Sequence, residues 1–263
     1  MNEIVTMNDD LKAHIIEALN KGVRFDGRKL DEFRKIEVKT GLINTSEGSA
    51  TVKIGETEVI AGIKMNVDKP YPDTPEEGTI MVEAELLPLS SPDFEPGPPD
   101  IRSVEMARVV DRGIRESKTI DLKDLCIDKG LKAWSVSIDV LSVNYAGGLI
   151  DAFGLAALLA LRDTRFPEYK DGAVDYHKKT DRKLILKRFP IPVTVFKIGN
   201  NLIVDPTVEE EGAVDVRLTV TSTEDGRLCA LQKGGEGELS TEEIARMMEL
   251  AMAKAKEIRE LVM

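Results

Sequence analysis

"VNYAGGLIDAFGLAALL" (residues 143–159) carries the end of an alternating strand into a Gly-Gly turn and out into a helix that is apolar on nearly every side. Backbone N–H groups converge at such a helix start with the positive end of the helix dipole, which makes it a favourable place to hold a phosphate. The residues that follow Gly147 and Gly148, however, are Leu149 and Ile150, which offer an anion nothing. The pattern predicts a buried helix over 149–162, because a helix at the surface carries a polar face. It also predicts a phosphate cradle lined with hydrocarbon.

Working outward, the strand that feeds this turn is "WSVSIDVLSV" (134–143), with Trp134, Val136, Ile138 and Val140 on one face. Upstream, "KIEVKTG", "SATVKIGET", "EVIAGIKMNV" and "TIMVEAELLPL" read as strands (residues 35–89), and their Gly, Asn, Glu and Pro punctuation predicts antiparallel pairing through tight turns. Two Pro-rich loops, 68–78 and 90–100, precede a helix over 101–117. At the N-terminus, residues 7–22 predict a helix capped by Asn8 or Asp9, with Leu11, Ile15, Ala18 and Leu19 on one face and Gly22 at its end. Downstream, residues 163–183 are polar and read as a connector. Four more strand-like runs follow (190–199, 201–207, 214–223 and 228–235). In the last helix, Ser240 and Glu243 form a capping box, and Ile244, Met247, Ala251, Ala255 and Ile258 form its buried stripe. Each block is several strands followed by a helix, so the class is α+β or mixed α/β, with two similar β-rich halves packed together. The expected division is an N-terminal helical extension (1–32), a first half (33–168), a connector (169–189) and a second half with the terminal helix (190–263).

Composition narrows the function. A net charge of −11 argues against broad nonspecific binding to nucleic acid or anionic membrane, but leaves room for a local basic patch. Cys126 and Cys229 form no C-x-x-C, so neither a disulfide framework nor a zinc site is indicated. Neither a signal-peptide pattern nor an apolar run long enough for a bilayer is visible, and a cytoplasmic protein is expected. The two histidines, His14 and His177, lie on the N-terminal helix and in the polar connector, which gives Ser-His or Cys-His catalysis little to work with. "GETEVIAG" and "GGEGE" match neither a P-loop nor a dinucleotide fingerprint. In "DPTVEEEGAVD" (205–215), Glu209, Glu210, Glu211 and Asp215 either gather to hold Mg²⁺ or supply an acid, or form a solvated acidic loop.

The helix 101–117, "IRSVEMARVVDRGIRES", places Arg108, Arg112 and Arg115 in a narrow stripe opposite Met106, Val109, Val110, Gly113 and Ile114. The plain reading is a solvated face with pairs such as Asp111–Arg115 and Arg112–Glu116. The sharper reading is phosphate recognition, since the guanidinium fork suits bidentate contacts and the stripe contains no lysine. Arg102 lies off the stripe, beside the second Pro-rich loop.

"RFDGRKLDEFRKIEV" followed by "EGSATVKIGETEVIAGIK" resembles the opening of the RNase PH family of phosphate-dependent 3′→5′ exoribonucleases. The arginine-bearing helix, the strand from Trp134, "YAGGLIDA" and "DPTVEEE" extend the likeness over roughly residues 22–256. The resemblance implies the α+β class and the RNase PH-like fold, with its core like domain 2 of ribosomal protein S5. Within the family the likeness is to the non-catalytic RNase PH-type subunit of the archaeal exosome ring.

Active members carry a Ser-Arg or Thr-Arg pair directly after the Gly-Gly, and it binds the attacking phosphate. Leu149 and Ile150 stand at those two places. Active members also place two aspartates after the strand end; the resemblance sets Glu211 at the first and Asp215 at the second. Both departures imply that phosphorolysis is lost and that no cofactor or metal is needed. The implied partners are a paralogous catalytic subunit alternating with this one in a heterohexameric ring, RNA-binding cap subunits, and single-stranded RNA. The implied RNA contacts are Arg102, Arg112 and Arg115, with Arg108 after them. Two other readings stay open: an active phosphorolytic exoribonuclease, and a ring scaffold without RNA contact.

Overall fold

The structure, a computed structural model, describes residues 9–263. The cap candidate Asn8 therefore lies outside the described residues. Helix α1 (Asp9–Asn20) buries Ile15 and Leu19, and Gly22 closes it in a left-handed conformation with its N–H on the Leu19 carbonyl. Leu11, expected on the same face, is 40% exposed.

The first half is built on strands β1 (Ile36–Thr40), β2 (Gly48–Ile54), β3 (Thr57–Asp68), β4 (Thr79–Glu85), β5 (Cys126–Asp128) and β6 (Lys132–Asn144). Their order is β1-β2-β3-β6-β4, with β5 also paired to β6. Pairing is antiparallel from β1 through β3 to β6, as the turn residues predict. The fourth strand corrects that prediction: β4 runs parallel to β6 and does not pair with β3. The 68–78 segment carries the chain to the far side of β6, and helix α2 (Ile101–Glu116) lies on the return path between β4 and β6. A parallel pair needs such a crossover, and a Pro-rich segment of that length is no tight turn.

Helix α3 (Leu149–Asp163) explains its own composition. Every residue from Leu149 to Leu161 is buried, because α3 packs on β2, β3 and β6 on one side and on a second sheet on the other. That sheet contains β9 (Ile191–Ile198), β10 (Asn201–Val204), β11 (Val216–Ser222) and β12 (Leu228–Gly234), all antiparallel in the order β10-β9-β11-β12. Pro192 and Thr194 of β9 meet α3, whereas Val193 and Val195 fall on its other face by strand alternation, where helix α5 (Thr241–Val262) packs. The predicted capping box of α5 is present, and Met247, Ala251, Ala255 and Ile258 are buried, while Ile244, expected with them, is half-buried. α3 and β9 approach closely at Gly154: a Cβ there would lie 2.3 Å from Pro192 Cγ.

The polar connector is also corrected. It holds a ribbon of β7 (Arg165–Lys170) and β8 (Ala173–Lys183), whose partners slip register twice. Most of β8 is exposed, so no apolar alternation announces it.

Candidate functional site

The turn at 145–148 is held from three directions. Gly147 has φ +90° and Gly148 φ +71°, values that L side chains rarely adopt. A Cβ on Gly147 would also lie 2.2 Å from the Pro206 carbonyl oxygen, so the turn and the 205–207 segment touch backbone to backbone. Thr57 Oγ1 donates to the Gly147 carbonyl at 2.6 Å, and Arg34 donates to the carbonyls of Ala146 (2.6 Å) and Gly147 (3.0 Å).

The arginines of the 24–34 segment fasten the opposite wall. Arg34 also grips Asp205 with Nε at 2.9 Å and Nη2 at 2.6 Å, and Arg28 donates to the same carboxylate at 2.9 Å. Arg24, wholly buried, forms a two-pronged bond to Glu210 (2.9 and 2.5 Å) and donates to the carbonyls of Val204 and Asp205. Such a desolvated pair is favourable only when its remaining donors are satisfied, as they are at Arg24. Sequence reasoning missed these residues, because about 180 positions separate the arginines from their acids.

Glu210 and Glu211 sit on the one-turn helix α4 (Val208–Gly212), which starts with a capping box formed by Thr207 and Glu210. The acidic cluster does not gather. Glu209 is exposed, Glu210 faces Arg24, and Asp215 accepts from Lys12 Nζ at 2.8 Å and the Gly199 N–H at 2.7 Å. Burial works to raise the Asp215 pKa, but Lys12 and the Gly199 N–H outweigh it and hold it below the usual carboxylate range. Among the described residues, no group of three His, Cys, Asp or Glu side chains is placed to hold a metal.

Leu149 and Ile150 are 2% and 6% exposed. The helix start has no side-chain cap from its own N-cap residue, Gly148. Instead Glu211 Oε2 accepts the Gly148 N–H at 3.0 Å and the Tyr145 hydroxyl at 3.2 Å. Desolvation raises the Glu211 pKa, against the lowering effect of those two donors and of the Arg217 and Arg34 charges. Burial, and then the Glu211 charge, push the Tyr145 phenol upward in turn. One helical turn on, Asp151 is buried and accepts from the Thr194 N–H (3.0 Å) and Oγ1 (2.7 Å), tying α3 to β9. Desolvation raises its pKa to about 7.

The predicted stripe on α2 faces outward, with Val109, Val110, Gly113 and Ile114 buried behind it. Three of the four arginines are engaged within the chain. Arg102 bonds Asp100 at 2.8 Å and the Asp93 carbonyl at 3.0 Å, and lies over the Phe94 ring. Arg115 pairs with Asp111 at 2.7 Å, as expected, and donates to the Ile80 carbonyl at 3.0 Å. Arg112 meets Gln232 of β12 rather than the expected Glu116. The guanidinium of Arg108 has no hydrogen bond or ion pair among the described residues, and Arg108 is exposed. The helical spacing of the stripe is the signal that finds it.

The chain matches the models of the 3′ exoribonuclease family, domain 1 over residues 32–167 and domain 2 over residues 188–254. It is 44% identical to the exosome complex component Rrp42 of Methanothermobacter thermautotrophicus, covering 99% of this chain and 97% of that protein. The likeness to the Rrp42 component of Thermococcus kodakarensis is also 44%, over 100% and 98%. Among solved structures, a chain of the Archaeoglobus fulgidus exosome with RNA bound to the active site superposes with a TM-score of 0.91 at 42% identity, covering 97% of this chain and 98% of that one. A chain of an archaeal exosome core superposes at 0.85 with 38% identity, over 96% of both. No helix among the described residues is long and apolar enough to cross a membrane.

Proposed function

The chain belongs to the 3′ exoribonuclease (RNase PH) family, and on that premise we propose that it is the non-catalytic subunit of an archaeal exosome ring, alternating with a paralogous catalytic subunit and helping to hold RNA for 3′→5′ degradation. The relatives at 44% identity are named as exosome components, and the solved structures it superposes on are exosome assemblies, one of them with RNA. The observation that carries the non-catalytic reading is the burial of Leu149 and Ile150 at the first turn of α3. An attacking phosphate there would find hydrocarbon where it needs a donor and a positive charge, and uncompensated charge burial is costly.

In this reading Arg102, Arg108, Arg112 and Arg115 contact RNA phosphates or shape the neighbouring subunit's site. Phosphate contacts carry no base identity, which suits degradation of any sequence. RNA-binding cap subunits complete the assembly, and the ring works in the cytoplasm. The deciding experiment supplies the purified chain with RNA and inorganic phosphate and follows release of nucleoside diphosphates. None is expected; robust release by the wild-type chain alone would overturn the proposal.

One observation favours a second reading, a ring scaffold without RNA contact: Arg102, Arg112 and Arg115 already have partners within the chain. Crosslinking RNA to the assembled ring separates the two, since only the first reading places RNA on α2.

A further inference from the structure

We propose that Glu211 is a built-in anion that plugs the α3 cradle, so that this subunit excludes phosphate by occupation as well as by lacking ligands for it. The inference rests on the non-catalytic reading above and deepens it.

One carboxylate oxygen, Glu211 Oε2, takes both the Gly148 N–H at the helix start and the Tyr145 hydroxyl across the turn. An anion bound at a helix N-terminus accepts backbone N–H groups in this way. The side chain does not arrive there by free rotation from a loose loop. Its element, α4, is capped by Thr207, and the adjacent Glu210 is clamped to buried Arg24. The α4 approach is pinned as well, because Pro206 packs backbone to backbone on Gly147. Burial raises the pKa of Glu211, while its two donors and the charges of Arg217 and Arg34 favour the anion in this position. Asp205, held by Arg28 and Arg34, sets a second carboxylate beside the same turn. An entering phosphate would have to displace the carboxylate from these donors or sit beside it, and like charges at such range oppose each other strongly.

Restoring donors at the first turn is therefore insufficient while Glu211 remains. The test uses the full chain alone, which carries no partner's phosphate site, and inorganic phosphate as the probe, with chloride at matched ionic strength as control. Leu149→Ser with Ile150→Arg gives the turn a hydroxyl and a guanidinium but keeps the plug. Adding Glu211→Ala removes it. Calorimetric titration should show phosphate binding at least about tenfold tighter in the triple variant than in the double, a difference well within what one like charge imposes. Equal binding by the two, including none by either, would overturn the plug. Should circular dichroism show the triple variant unfolded, Glu211→Ser replaces Glu211→Ala. The short hydroxyl neither fills the cradle nor carries a charge, so the same ordering is expected and the same equality overturns it. Phosphate binding is read without turnover, so its failure is distinct from that of the non-catalytic reading, which falls only if the wild-type chain releases nucleoside diphosphates.

Discussion

Asp151 shows how a single buried carboxylate writes itself into the stability of the whole chain. Desolvation raises its pKa to about 7, and the negative charges of Asp205 and Glu211 add to the rise, while its bonds from Thr194 oppose it. In the unfolded chain the group titrates near 3.8, the ordinary value for an aspartate. Between those two values the folded state holds more protons than the unfolded state, so stability falls as pH rises from about 4 to about 7 and is flat in this contribution above that. Asp151→Asn keeps an acceptor for the Thr194 N–H, and its amide can donate to Thr194 Oγ1, which remains free to donate to Thr219. The variant should therefore fold and lose this part of the slope. Urea unfolding at several pH values from 4 to 8 measures it. Parallel wild-type and variant curves across that window would show that Asp151 does not titrate there.

At the scale of the element, α3 is the case where composition and structure agree most closely. A helix apolar all round belongs between two layers, and its thirteen consecutive buried residues place it there. Gly154 is the test of that placement. Alanine would gain about 1 kcal/mol in helix propensity, but its Cβ would meet Pro192 Cγ at 2.3 Å. Overpacking of this kind costs roughly 1–3 kcal/mol, so Gly154→Ala should be neutral to destabilising by about 2 kcal/mol in chemical denaturation. A clear gain would mean that α3 stands further from β9. The capping box and stripe of α5 were equally legible, because caps and 3.6-residue periodicity are local signals. Three features were not. The parallel placement of β4 depends on a crossover, the β7–β8 ribbon is wet along most of β8, and the partner of the Gly148 N–H lies 63 residues downstream. The candidate site divides along the same line. Leu149 and Ile150 could be read directly, whereas the position of Glu211 in the cradle and the clamp of Arg24, Arg28 and Arg34 exist only once distant segments meet.

Across the whole molecule, the question is how a chain of net charge −11 would help to hold a polyanion. The stripe of α2 sets three arginines on one face, two of them with side-chain partners in the chain, and Arg108, whose guanidinium has none among the described residues, is the most available donor in it. Replacing Arg108, Arg112 and Arg115 by Gln should leave the proposed ring with a catalytic paralogue assembled, because the apolar face of α2 is untouched. Each phosphate that no longer meets an arginine should reduce the salt slope of RNA binding by about 0.7, or about 2 for all three. Apparent affinity should fall more than the rate at saturating RNA, since no group at the attacking centre changes. Arg115 needs its own control, because its removal frees the charge of Asp111 beside it. Combining Arg115→Gln with Asp111→Asn separates the missing attraction from an added repulsion. The measurement is degradation against RNA and salt concentration, on rings whose mass has been confirmed. If the triple-variant ring keeps both its activity and its salt slope, the stripe serves only its bonds to Asp111, Gln232 and Ile80, and the scaffold reading stands in place of the RNA-holding one.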